Sequence, residues 1–216
     1  MTWLRTWTGL ALAGLVLLAG AAQAAAPKFP ALSGRVVDEA HILPAPVVAD
    51  LTTRLAGLEA RTSRQLVVVT VPDLQGYEIE DYGYQLGRTW GIGQKGLNNG
   101  LLFIVAPTER KVRVEVGYGL EGIVTDALSS VILQTQVLPK FKAGDMPGGV
   151  VAGTNALIDQ LSADPSTAEQ NLARAAASRQ QQSSGGGGGG GIAVFIVFIV
   201  VVIVLRALMG GGRGRG

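Results

Sequence analysis

Apolar residues recur along the middle of the chain with two distinct periods, and each period predicts an element. From Pro46 to Thr62, Val47, Leu51, Leu55 and Leu58 fall on one face at helical spacing. Burying those four side chains contributes roughly 6–12 kcal/mol before the entropy of ordering is subtracted. Gln65 to Val71 reads Q-L-V-V-V-T-V, a near-continuous β-branched run stopped by Pro72, as expected of a strand covered on both faces. Glu78 to Trp90 returns to helical spacing, with Ile79, Tyr82, Leu86 and Trp90 on one stripe. A long loop, Gly91 to Gly100, leads to a second apolar run, Leu101 to Ala106. After the polar turn Pro107 to Arg110, Lys111 to Gly117 alternates Val112, Val114 and Val116 against Arg113 and Glu115. That alternation predicts a hairpin with a half-exposed outer strand. Thr125 to Val137, opened by Thr125 as N-cap, and Pro147 to Leu161 are the last two predicted helices. The order αβαββαα predicts an α/β class fold, a single α/β/α sandwich domain over residues 27–163.

The two ends of the chain carry other patterns. Met1 to Ala24 has Arg5 in a short n-region, an apolar stretch from Gly9 to Gly20 and the small-residue site Ala22-Gln23-Ala24. These are the parts of a secretory signal peptide. Asp164 to Ser184 is rich in Ala, Gln and Ser without strong apolar periodicity and reads as a spacer, helical in part, that runs into the flexible tract Gly185 to Gly191. Ile192 to Leu205 is an apolar stretch rich in Val, Ile and Phe, followed by Arg206 and three more apolar positions. With its neighbours it predicts a transmembrane helix over residues 192–209, Arg206 snorkelling toward the headgroups. Arg206, Arg213 and Arg215 all follow the apolar run, so the positive-inside rule places the basic tail, residues 210–216, in the cytoplasm and the domain outside it. The membrane is therefore an expected partner.

Charge changes the picture only once these ends are set aside. The whole chain has 18 Lys/Arg and 16 Asp/Glu, but four of the arginines lie in the terminal segments, and the middle of the chain is slightly acidic. Nucleic-acid binding has no electrostatic footprint there. The absence of cysteine rules out disulfides, thiol catalysis and cysteine-ligated metal centres. The single histidine, His41, beside Asp38 and Glu39, reads as a surface residue. Gly91-Ile92-Gly93 and Gly117-Tyr118-Gly119 match neither a Rossmann nor a P-loop spacing, so no nucleotide is expected.

What remains is oxygen chemistry. Asn98-Asn99-Gly100 enters one strand of the hairpin, Gly117-Tyr118-Gly119-Leu120-Glu121 leaves the other, and a hairpin brings those two loops to one sheet edge. Asp126 follows one turn later. Amide and backbone carbonyls with carboxylates are the ligands that hard cations such as Ca²⁺ or Mg²⁺ take. The same residues have a plain structural reading, in which Asn98 and Asn99 shape a turn, Glu121 is solvated and Asp126 favours a helix dipole.

Five segments in order, V-V-D-E-A-H-I-L (Val36 to Leu43), Y-E-I-E-D-Y-G (Tyr77 to Gly83), W-G-I-G-Q-K-G-L-N-N-G-L-L-F-I-V-A (Trp90 to Ala106), R-K-V-R-V-E-V-G-Y-G-L-E-G-I-V-T-D (Arg110 to Asp126) and L-P-K-F-K-A-G-D (Leu138 to Asp145), resemble the TPM domain family. The wider plan of signal peptide, domain, glycine tract and terminal apolar segment is similar to bacterial membrane proteins of the YgcG type. The resemblance implies a domain outside the cytoplasm, in the periplasm or at the cell surface, acting in envelope maintenance or membrane-protein assembly with other membrane or envelope proteins as partners. Plant relatives are thylakoid-lumen proteins of photosystem II repair described as acid phosphatases, which implies a weak metal-dependent phosphatase as the alternative. Divalent cations bind in several members, and the ligands so implied are Asp38, Asn98 or Asn99, Glu121 and Asp126, holding Ca²⁺ or Mg²⁺. No residue is singled out as a catalytic nucleophile or general acid.

Overall fold

The computed structural model describes residues 26–185. The expected signal peptide over residues 1–24, transmembrane helix over 192–209 and basic tail over 210–216 lie outside the described residues. No helix among the described residues is long and apolar enough to cross a membrane. Residues 26–30, the described part of a first compact unit ending at Pro30, have no regular structure, and the fold belongs to the second unit, which begins at Ala31.

The chain forms a mixed α/β domain. In order it runs β1 (Val36–Asp38), α1 (Ala45–Thr62), β2 (Gln65–Thr70), α2 (Ile79–Trp90), β3 (Gly100–Ala106), β4 (Lys111–Val116), a single 3₁₀ turn (Tyr118–Leu120), α3 (Asp126–Ile132), a π turn (Leu133–Val137), α4 (Leu138–Lys142), α5 (Met146–Ser162) and α6 (Pro165–Gly185). The four strands lie side by side as β1-β2-β3-β4. β1, β2 and β3 are parallel and β4 is antiparallel to β3, with Gln65 level with Gly100 and Leu101 level with Val116. Thus the hairpin, both long crossover helices and the two central strands stand where periodicity places them. β1 has no counterpart in the predicted order, and the spacer expected to be helical in part is helical throughout Pro165–Gly185 as α6.

Alternate side chains of the sheet feed two apolar layers. Val36, Leu66, Val68, Leu101, Phe103, Val105 and Val114 pack with Leu51, Leu55 and Leu58 of α1, Leu128 of α3, and Val150, Leu157 and Leu161 of α5. The opposite face carries Val37, Val67, Val69, Leu102 and Ile104, and α2 packs on its β3–β4 side, with Ile79, Tyr82 and Leu86 buried. The two crossovers advance in the same direction along the sheet yet put their helices on opposite faces, so they have opposite hands and one departs from the usual right-handed rule. The consequence for the site is that α2 lies over β3 and β4, and a cleft opens between it and the end of β4.

Local chemistry sets the ends of the elements. Thr125 caps α3, its hydroxyl oxygen accepting from the Leu128 N–H at 3.2 Å, and Asp145 caps α5 by accepting from Gly148 N–H at 2.8 Å. The π turn precedes Pro139, which lacks an N–H and cannot stack on a regular preceding turn. The helix expected to stop at Val137 therefore widens and continues to Lys142. Asp164 opens α6 by accepting from the backbone and hydroxyls of Ser166 and Thr167, bonds that hold its carboxyl well below the ordinary range. α6 then lies along the domain with Ala168 and Ala175 buried. Gln160 joins it to the core, donating to Ile123 O at 2.7 Å and accepting from Asn171 at 2.8 Å.

Candidate functional site

Three glycine-rich segments meet at the edge where β3 begins and β4 ends. They approach so closely that no side chain fits between them. A Cβ on Gly93 would lie 2.6 Å from Gly100 N, one on Gly100 would lie 2.5 Å from Ile92 O, and one on Gly117 would lie 2.7 Å from Gly100 O and closer still to Asn98 O. At Gly119 the obstruction would be Leu97 O. These contacts are backbone on backbone, so the glycines at 93, 100, 117 and 119 are required by close approach. Hydrogen bonds lock the junction: Gly117 N–H donates to Gly100 O at 2.8 Å, Gly119 N–H to Asn98 O at 3.1 Å, and Gly93 N–H to the Gln65 side-chain oxygen at 2.6 Å.

This junction floors an open cleft of about 860 Å³ between α2 and the end of β4. One wall is the glycine face of α2, Gly83 and Gly87, and the rim carries Tyr84, Arg88, Lys95 and Tyr118. Oxygen donors enter from the other side, with Asn98, Glu115 and Glu121 all lining the cleft. Asn98 is held in the left-handed region at φ 49° with both its backbone groups bonded, so the backbone that carries its exposed side chain is fixed. Glu115 is half-buried beneath Gly83, and its carboxyl is bonded to the Arg113 guanidinium. Burial pushes the Glu115 carboxyl above its ordinary 4.5 against the pull of Arg113, and the negative charges of Glu80 and Asp126 push it further the same way.

The five expected ligands do not converge. Asn98 and Glu121 line the cleft together. Asn99 is committed to structure: its side-chain oxygen accepts from Gln94 N–H at 2.8 Å and its amide donates to Ser63 O, which pins the loop to the end of α1. Asp126 stands at the head of α3 outside the cleft lining, close enough for its charge to act on Glu115. Asp38 is on the opposite edge of the sheet. It ends β1 level with Thr70 and, through Thr70, with Val105, whereas Asn98 precedes Gly100 at the other end of β3. Five residues of strand separate the two edges, about 16–17 Å at ~3.3 Å per residue. Both its carboxylate oxygens are also engaged, accepting from Ile42 N–H at 3.2 Å, Leu43 N–H at 2.9 Å and the Thr70 hydroxyl. Asp38 organises the β1–α1 loop. The exposed His41 belongs to that loop, at φ 53°. Among the described residues no group of three or more His, Asp or Glu is arranged to hold one ion.

Glu115, Arg88 and Lys95 were not singled out from the sequence. Glu115 sits in a strand whose alternation accounts for it as an outward charge, and only the glycine at position 83, which lets α2 settle over it, marks it as different.

A family model described as the TPM domain matches residues 36–160. Among solved structures, the N-terminal domain of a P. gingivalis protein is 35% identical, the match covering 59% of this chain and 81% of that one with a TM-score of 0.56. The N-terminal domain of the cg2496 protein from Corynebacterium glutamicum is 19% identical, covering 66% of this chain and 89% of that one with a TM-score of 0.49. The BA42 protein from the psychrophilic Bizionia argentinensis is also 19% identical, covering 56% and 81% with a TM-score of 0.49. No curated protein matches the chain.

Proposed function

Because this chain belongs to the TPM domain family, we propose that it is a membrane-tethered binding module outside the cytoplasm whose cleft between α2 and β4 takes a hard divalent cation at Asn98 and Glu121. The observation that carries the reading is the joint placement of those two oxygen donors, with Glu115 behind them, on a floor that four glycines make rigid. One amide and one carboxylate leave most of a coordination shell to water or to a partner's oxygens. Mg²⁺ is commonly bound in that way, and Ca²⁺ sites of extracellular modules with few ligands have Kd values of about 10⁻⁴–10⁻³ M. An ion held so incompletely has open positions, and through them the domain engages acidic groups of envelope or membrane proteins. The tether is supported by the apolar run 192–209 and the arginines after it, the exported side by the leader-like residues 1–24.

Thermal unfolding of the full chain tests the site. With roughly 10 mM ion and a Kd near 1 mM, binding to the folded state adds about 1.4 kcal/mol, which for a domain of this size raises Tm by about 3–6 °C. Ca²⁺ or Mg²⁺ should produce that rise over an ionic-strength control, Glu121→Gln should lose most of it, and Asp38→Asn should keep it. A wild-type Tm indifferent to both ions refutes the reading.

One observation favours a second reading, weak metal-dependent phosphatase activity: Glu115 is a carboxyl with a raised pKa in a cleft that also carries Arg88 and Lys95. That combination offers a proton donor beside cations suited to a phosphate. Turnover of p-nitrophenyl phosphate at acid pH that is lost in Glu115→Gln supports it, and its absence leaves the binding module alone.

A further inference from the structure

β4 is the open edge of the sheet, and its pattern is self-complementary. Gly117 N–H donates to Gly100 O directly opposite, which fixes the phase of the β3–β4 ladder: Lys111, Arg113 and Glu115 turn their backbone groups toward β3, and Val112, Val114 and Val116 turn theirs outward. No described residue supplies a hydrogen bond to those three outward N–H and C=O pairs. β3 lies beside β4, α2 packs on one face and the core on the other, and no element among the described residues pairs with its outer edge. Natural edges are commonly blunted by charges or by being short. Here the charges of Lys111 and Arg113 are drawn onto the α2 face by Glu78 and Glu80, and at six residues β4 is twice the length of β1, the other edge.

We propose that β4 pairs antiparallel with β4 of a second copy of this chain, on a two-fold axis through Val114, to give one continuous eight-stranded sheet. Three requirements select that register. The outward-facing residues must form the hydrogen-bonded pairs, and about Val114 they do, Val112 opposite Val116 of the second copy and Val114 opposite itself. The apolar face must continue, and the valines then stack on the core side. Charges must be complementary, and Arg113 falls opposite Glu115 of the second copy, twice by symmetry, a favourable cross-strand pair. Shifting the axis to Val112 sets Lys111 against Arg113, to Arg113 sets two arginines face to face, and to Glu115 sets two glutamates face to face. Such an interface is isologous and closed. The exposed Tyr84 of α2 and Tyr118 after β4, 58% and 78% accessible, flank the edge on its α2 face and at its end. This inference does not depend on the cation reading.

The chain has no cysteine, so a register-specific cross-link tests the pairing. Residues 113 and 115 of the two copies form a non-hydrogen-bonded pair, with Cα atoms about 4.5 Å apart, within the reach of a disulfide. Position 113 is too far from its own symmetry mate. Full-length R113C and E115C, mixed and mildly oxidised, should give a disulfide dimer joined between positions 113 and 115, while either variant by itself gives none at the same concentration. The mixture also keeps the second Arg113–Glu115 pair intact. Adding Val114→Pro to both partners removes an outward N–H but no bond to β3, and should abolish most of the yield with unchanged far-UV circular dichroism. A single variant that cross-links as readily as the mixture, or a folded, thiol-free mixture that stays monomeric, overturns the proposal.

Discussion

Replacing Gly117 by alanine tests whether the junction of the three glycine segments holds the site together. The added Cβ would meet Gly100 O at 2.7 Å and Asn98 O at still shorter range. Ordinary contact of a methyl carbon with a carbonyl oxygen begins near ~3.3 Å, so the two strands must part by more than about half an ångström. Neither obstacle is a side chain that can rotate away. Overpacking of this kind costs typically about 1–3 kcal/mol. Lengthening the Gly117–Gly100 hydrogen bond, 2.8 Å in the intact chain, forfeits about 1 kcal/mol more. The sum is about 2–4 kcal/mol, which for a domain of this size lowers Tm by about 4–16 °C. Differential scanning calorimetry measures it, with Gly122→Ala as control: Gly122 has nothing within 4 Å of its would-be Cβ and no positive φ, so its Tm should stay within about 2 °C of wild type or rise slightly. If Gly117→Ala and Gly122→Ala unfold at the same temperature, the junction is not the close-packed lock described above.

Asp38→Asn should lower stability by about 1–3 kcal/mol, because charge-assisted bonds to Ile42, Leu43 and Thr70 are weakened; urea denaturation reads it. Gln160→Ala leaves Ile123 O without its donor and Asn171 without its acceptor, so a loss of about 1–3 kcal/mol and faster proteolysis within α6 are expected, whereas α6 cleaved no faster than in wild type would show that Gln160 does not fasten it. The pH dependence at Glu115 has a definite sign. Its folded-state pKa is raised above 4.5, so the unfolded chain gives up the proton first and stability falls as pH climbs from the ordinary carboxylate range through the raised value. Glu115→Gln should therefore compare more favourably with wild type at pH 7 than at pH 4 in paired melts, and a difference independent of pH would contradict the burial that causes the shift.

How much of this was legible in the sequence follows from the size of each apolar signal. Leu51, Leu55 and Leu58 mark α1 and the valines mark β2 and β4 because large side chains repeat at one period over several turns or residues. β1 was missed because Val36–Asp38 is three residues long, too short for any period to declare itself. α6 reads in the sequence only as a partly helical spacer because its docking face is built of Ala168 and Ala175, small residues that bury little area and barely raise hydropathy. In the site, the hairpin was enough to bring Asn98 and Glu121 to one edge. Asp38 enters the expected ligand set through the family resemblance alone, and no periodicity in the sequence says where its loop goes. The direction came from β1 lying parallel to β2, which sends Asp38 to the far edge, and parallel pairing leaves no trace in a three-residue strand. Glu115 stayed hidden for a complementary reason. Its environment is made by Gly83 of a helix from another part of the chain.

The central claim, that the cleft and not the Asp38 edge binds a divalent cation, is tested most directly by following backbone amide shifts of the isotope-labelled full chain through a Ca²⁺ titration, repeated with Mg²⁺. The account predicts saturable shifts with a Kd of about 10⁻⁴–10⁻³ M, confined to Asn98, Glu115 and Gly117 to Glu121, while Asp38 to Leu43 do not move. Shifts centred on Asp38, or none that saturate at either edge, would contradict it.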